Sequence, residues 1–298
     1  MTEHKQATRS LQQARRSEAR EKALQLREEH RRMSKRRQLT IQIGSIVAVV
    51  AVIATIALVL SFGRAAKLEG PAPANMASDG IVLTGQDGVV TAVRTEPLEA
   101  GKDPIRWSGT QDGVPHVQLI VDFECQYCAE FEKTYGEKIE EWLKAGRISL
   151  EIRPVSIVND ASTRTAAAAA CVANYAPDNF LDFHKVVYAA GAYPERDTTA
   201  LAALAAAAGA GQSSVAECIN DQRFEGWVGA ATLRTRQNEA FREEGQRFGT
   251  PTVLIDGELL AAGQDFITAV QVHLSEKIEA QAQALANSLA TEETASAK

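Results

Sequence analysis

Two cysteines separated by two residues, Cys125 and Cys128 in the stretch DFECQYCAEF (122–131), are the residues here whose type and spacing most directly carry chemistry. Such a pair serves as a reactive dithiol, as an inert staple, or as half of a zinc site. A bond across two intervening residues closes so small a ring that it yields little loop-closure entropy, which makes it a poor staple. Zinc takes four ligands, usually from two paired knuckles. The other cysteines, Cys171 and Cys218, stand far apart in the chain with no His three to five residues away. The dithiol is the favoured use, and the spacing alone does not exclude the other two.

The elements around the pair decide how it would work. HVQLIVDF (116–123) alternates Val117, Leu119, Val121 and Phe123, with Ile120 making the other face apolar as well, and reads as a mostly buried strand. Phe131, Tyr135, Ile139, Trp142 and Leu143 then fall at helical spacing up to Gly146, a C-terminal cap residue. Strand therefore runs into helix at the cysteines. Cys125 falls at the helix start and Cys128 one turn further in, so the amides and positive end of the helix favour a thiolate on Cys125, the exposed nucleophile, with Cys128 packed behind it. Glu124 adds a negative charge nearby, and the expectation is that its side chain turns to solvent while the helix terminus prevails.

After Gly146, RISLEIRPVSIV predicts a second strand roughly parallel to the first, ended by Pro154. From Asp160 to about Gly245 the pattern is helical: an Ala-rich helix with Cys171, a helix begun by PDNF (177–180), an Ala-rich piece at 199–208, and longer helical text from Ser213. Ala is the best helix former, so these runs need no special role. Asp-Gly hairpins are expected within 81–93 and 250–263, and a closing helix is capped by Asp265. The order β, α, β, helical block, β hairpin, α implies an α/β fold with helices covering a sheet.

The formal net charge of −6 conceals an asymmetry: residues 1–40 carry twelve Lys/Arg against five Asp/Glu, +7, which leaves −13 for residues 41–298. Between the basic end and the acidic body, residues 41–62 contain no charged residue and would span about 33 Å as a helix, enough for a bilayer core. A cleaved signal peptide competes with this reading but usually has a shorter apolar run and a small-residue cleavage site. The flanking RRMSKRR (31–37) places the N-terminus in the cytoplasm and the remainder outside. The expected organisation is a basic cytoplasmic tail (1–40), a transmembrane anchor (41–62), a linker (63–80), a catalytic domain (81–287, helical insert about 160–245) and a disordered tail (288–298). No aromatic residue interleaves the basic run, so nucleic acid is not an expected partner. His116 lies on the strand nine residues before Cys125, too far to serve as its base, and no Gly-rich phosphate loop or catalytic triad stands out.

VDFECQYCAEFE, followed far downstream by FGTPTVLIDG with a helical block between, resembles the DsbA-like thiol-disulfide oxidoreductases of the thioredoxin-fold superfamily, in their membrane-anchored bacterial branch. FLDFHKVVY (180–188) and CINDQRFEGWV (218–228) also resemble that family's helical insert, and the likeness covers about residues 115–285. The resemblance implies a thioredoxin fold with a helical insertion between the second and third core strands, no cofactor and no metal. It implies that Cys125 attacks substrate, that Cys128 resolves the mixed disulfide, and that Pro251 follows a cis bond placing Thr250 beside the sulfurs. Glu124, Gln126 and Tyr127 are the expected supports of the site. Gln126 stands where the family usually has Pro, and the intervening residues tune the redox potential. The implied substrates are exported cysteine-containing proteins, and the implied membrane redox partner is of DsbB or VKOR type. A reductase or isomerase, or a non-catalytic binding module or chaperone on the same scaffold, are the alternatives. Four cysteines permit three pairings. With 125 and 128 paired by proximity, Cys171 and Cys218 are left to join as a structural disulfide, a second redox pair being the alternative.

Overall fold

A computed structural model describes residues 70–107, 113–191 and 196–296. The expected anchor at 41–62 lies outside the described residues, as do the basic tail and the first part of the linker. Among the described residues no helix is long and apolar enough to cross a membrane.

The strand expected before the cysteines is β3 (His116–Val121), buried from Val117 onward. Helix α1 (Gln126–Lys144) leads from it to β4 (Ser149–Pro154), which pairs parallel to β3 with Val117 opposite Leu150 and Leu119 opposite Ile152. A short β5 (Thr252–Ile255) pairs antiparallel on the other side of β3, and β6 (Glu258–Leu259) returns beside it. Two N-terminal strands, β1 (Ile81–Gln86) and β2 (Val89–Ala92), extend the sheet past β4 to give the order β2-β1-β4-β3-β5-β6. Both hairpins turn on an Asp-Gly pair, Asp87-Gly88 and Asp256-Gly257, with positive φ at both positions, as tight turns between twisted strands require.

Between β4 and β5 lie α2 (Asp160–Tyr175), α3 (Phe180–Ala189), α4 (Thr198–Ala207), α5 (Ser213–Asn220) and α6 (Glu225–Gln237). Asn159 and Ser162 exchange side-chain and backbone hydrogen bonds in a capping box that starts α2. Every residue of α2 from Thr165 to Ala173 is buried. The alanine run therefore does more than favour helix: its small side chains let α2 be surrounded, which makes it the centre of the insert. A disulfide between Cys171 and Cys218 joins α2 to α5.

The last helix, α7 (Phe266–Ser296), begins where Asp265 caps the Thr268 amide and hydroxyl, both at 2.8 Å. Phe266 fills the angle between α7 and α1, its ring 5.4 Å from Phe131, 5.3 Å from Tyr135 and 6.3 Å from Trp142. This aromatic group holds the cysteine-bearing helix along its length, and truncating so large a buried ring to Ala typically costs about 3–5 kcal/mol.

Two expectations about boundaries are corrected. Residues 70–80, expected to belong to a linker, are largely buried: the Asn75 side-chain amide donates to Ala173 O at 2.9 Å, and buried Asp79 accepts two hydrogen bonds from Arg234. The segment lacks periodicity because scattered contacts to the insert and to Thr95, and not a strand or helix ladder, satisfy it. The expected disordered tail from 288 is helical to Ser296, consistent with its high content of strong helix formers.

Candidate active site

Backbone geometry at the end of β3 delivers the cysteines. The Cys125 amide donates to Asp122 O at 3.0 Å, closing a tight turn, and Cys125 takes the extended N-cap conformation before α1. Asp122, fully buried, pins this turn: its carboxylate accepts from the Glu124 amide at 2.9 Å and from the amides of Ile157 and Val158, after β4, at 2.7 and 3.0 Å. The loops leaving the two parallel strands are thus tied together under the redox pair. Phe123 is buried against Phe183, His184 and Tyr188 of α3, so the insert packs directly beneath the cysteines.

Both thiols are free, and Cys125, expected to be exposed, is itself buried. Cys125 keeps 7% of its surface and Cys128 only 1%, so the first remains the accessible one, through a narrow opening. Their acidities diverge. The Cys128 thiol donates a hydrogen bond to Cys125 and is the largest influence holding Cys125 at about 5. Burial opposes the shift, while the Thr250 hydroxyl and the amides of Cys128 and Tyr127 add to it. The helix amides thus assist, but the neighbouring thiol contributes more, which differs from the expectation of a helix-dominated effect. Burial, reinforced by the hydrogen bond to Cys125 and by its charge, pushes Cys128 far above the ordinary thiol range.

The Thr250–Pro251 bond is cis, and Cys125 Sγ lies 3.3 Å from Thr250 O. A protonated sulfur donates to that carbonyl, whereas a thiolate needs a donor. Thr250 Oγ1 is buried with no partner while the sulfur is a thiol, and it is toward the ionised sulfur that its hydroxyl acts as the donor that lowers the Cys125 pKa. Beside Pro251 a cavity of about 420 Å³ opens between Tyr135, Gln246, Arg247 and Leu260. Gln126 and Tyr127 face outward, Tyr127 70% exposed, and Gln126 reaches along the helix to Glu130 at 3.3 Å.

Glu124 does not turn to solvent, and this expectation is corrected. It is fully buried, pairs with Arg196 at 2.5 Å, and accepts from Thr165 Oγ1 at 2.9 Å. The cause is long-range: Arg196 stands at the start of α4, and nothing near position 124 announces it. His184 is buried and paired with Glu132 at 3.0 Å. Its place beneath Phe123 was legible only as one polar residue among the apolar positions of FLDFHKVVY. Cys171 and Cys218, fully buried within the insert, take no part in the redox pair's surroundings. Among the described residues no cluster of His, Cys, Asp or Glu could hold a metal ion.

Comparison with solved structures places the reduced form of DsbA from Mycobacterium tuberculosis among the similar folds, with a TM-score of 0.50 and 23% identity over 67% of this chain and 92% of that one. The oxidised form gives a TM-score of 0.50 and 23% identity over 66% and 92%. No curated protein sequence matches. Residues 102–271, which run from before β3 into α7 and include the cysteine pair, the insert and the cis proline, match the thioredoxin family. With more than half of its length so matched, the chain belongs to the thioredoxin family.

Proposed function

We propose that the protein is an extracytoplasmic thiol-disulfide oxidoreductase that donates disulfides to exported proteins. The feature that carries this reading is the inequality of the two thiols: Cys125 at the helix start keeps 7% of its surface and is held at about 5, whereas Cys128 is enclosed and held far above the ordinary thiol range. A stabilised Cys125 thiolate favours the reduced protein, which makes its disulfide a strong oxidant.

In the oxidised enzyme Cys125 and Cys128 are joined. A substrate thiolate attacks Cys125 Sγ, the Cys125–Cys128 bond breaks, and Cys128 leaves as a thiol, taking up a proton. A second substrate thiolate then attacks the substrate sulfur of the mixed disulfide and expels Cys125 as the thiolate. Two electrons have moved from the substrate dithiol to the enzyme, and the substrate has gained one disulfide. Tyr127 and the cavity beside Pro251 offer the surface on which an extended substrate chain lies, with the Thr250 backbone beside the reacting sulfur. An electron acceptor must restore the disulfide, and a membrane thiol oxidase of DsbB or VKOR type fits an enzyme tethered at the same bilayer. The basic segment 1–40 followed by the uncharged run 41–62 supports a single-pass anchor with the N-terminus cytoplasmic.

The direction of transfer is tested by the reduction potential of the Cys125/Cys128 couple. An oxidant sits near about −120 mV and a reductant near about −270 mV. Oxidation of a reduced, unfolded test protein by the purified enzyme, abolished in Cys125→Ala, is the expected companion result. A potential near the lower value, with insulin reduction in its place, would overturn the oxidase assignment.

A further inference from the structure

The buried pair of Glu124 and Arg196 is not explained by exchange chemistry, yet it adjoins the nucleophile in the chain. Both side chains are nearly inaccessible, 0% and 2% exposed. Placing two charges in the interior is costly and is seldom favourable on stability grounds alone. The contacts are also lopsided. Arg196 Nη1 and Thr165 Oγ1 both act on Glu124 Oε1, whereas Oε2 is buried with no partner. Arg196 Nη2 meanwhile donates to the carbonyls of Val187, at 3.0 Å, and Gly191, at the end of α3. One guanidinium therefore links three pieces: the residue before the nucleophile, the C-terminal end of the helix packed beneath Phe123, and the start of α4.

We propose that Glu124 and Arg196 are positioning residues that act as a charge-neutral latch, in which the carboxylate cancels the buried guanidinium and so limits how strongly the Cys125 thiolate is stabilised. This deepens the oxidoreductase reading and rests on it. The argument follows from which partner can shed its charge. A buried carboxylate that loses its cation takes up a proton and becomes neutral. A guanidinium cannot lose its proton under any condition the protein tolerates. With Glu124 neutralised, a permanent positive charge is left inside the protein beside the active-site turn. Arg196 Nη1 touches Glu124, the residue before Cys125, and at an effective dielectric constant of about 20 a unit charge within roughly 12 Å shifts a neighbouring acid by about one unit or more. Cys125 therefore falls below its value of about 5, and the enzyme becomes a stronger oxidant.

The test compares Glu124→Gln, and Glu124→Gln combined with Arg196→Met, with the wild type, by equilibrating each purified protein with defined ratios of reduced and oxidised glutathione. Glu124→Gln keeps the side chain's shape and removes the charge. It is expected to shift the exchange equilibrium about tenfold toward the reduced protein, a rise of about 30 mV in potential. The double variant removes both charges and is expected to return to within about twofold of the wild-type equilibrium. Thermal unfolding of each oxidised protein is recorded alongside. A role confined to packing lowers stability in both variants and leaves their equilibria alike. Equal shifts in the two variants, an unshifted Glu124→Gln protein, or a shift toward the oxidised form would overturn the latch. Failure of the wild type to oxidise protein thiols would instead remove the underlying reading, since the glutathione equilibrium is measured independently of that activity.

Discussion

Replacing Cys128 with Ala removes the largest contribution to the acidity of Cys125 and leaves the others standing. The Cys128 thiol donates to the Cys125 sulfur, and the Thr250 hydroxyl and the amides of Tyr127 and Cys128 act on the same atom. A hydrogen bond to a charged group contributes about 1.5–3 kcal/mol, which corresponds to about one to two units of pKa. Cys125 in the variant should therefore titrate at about 6–7, not at about 5 as in the wild type. At pH 6 the sulfur passes from about nine-tenths ionised to between about one half and about one tenth. The rate of alkylation by iodoacetamide, followed against pH by intact mass, reads this fraction directly, because only the thiolate reacts. Restricted access of the reagent to Cys125 slows both proteins alike and does not move the midpoint. A variant midpoint still at about 5, or a wild-type midpoint near that of a free thiol, would refute the ranking of causes.

Other expectations concern pH and stability. Cys125 ionises near 5 in the folded reduced protein against 9.0 for an unperturbed thiol, so the thiolate's contribution to stability is complete above about pH 9, declines as pH falls, and is lost below about pH 5. At pH 7 it amounts to about 3 kcal/mol, and urea unfolding of the reduced protein across this window should lose stability toward acid while a Cys125→Ser variant stays flat. Cys171→Ala with Cys218→Ala opens a cross-link across 47 residues, which by chain entropy lowers stability by about 4 kcal/mol. The variant's melting temperature should drop while its exchange rate at a temperature where it remains folded is retained, and loss of exchange without loss of stability would assign the pair a redox role.

The parts of this fold that are legible in the sequence are those whose causes are local. The period-two run before Cys125, the helical spacing after it and the Asp-Gly turns each report a backbone choice made within a few residues, and the structure contains all of them. The cis bond before Pro251 was reached through the family resemblance, since nothing in the surrounding residues sets it. What escaped depends on contacts between distant segments. Glu124 reads as a charged residue beside a reactive thiol, and its burial is decided by Arg196, 72 positions later. Residues 70–80 carry linker composition, yet Asp79 finds Arg234 155 positions away. The alanine run of α2 gave its conformation but not its central place, because small side chains are compatible with an exposed helix as readily as with one enclosed on all sides.

The central claim, that Cys125 is the sulfur that forms the mixed disulfide with protein substrates and that Cys128 resolves it in the direction that reduces a substrate disulfide, is tested most directly by trapping. A Cys128→Ala protein is mixed with a disulfide-containing polypeptide, quenched with acid and weighed intact by mass spectrometry. The account predicts a covalent one-to-one adduct through Cys125 that persists until a reductant is added, with no adduct for Cys125→Ala and only a transient one for the wild type. An adduct that forms equally well without Cys125, or none in the Cys128→Ala protein, would contradict it.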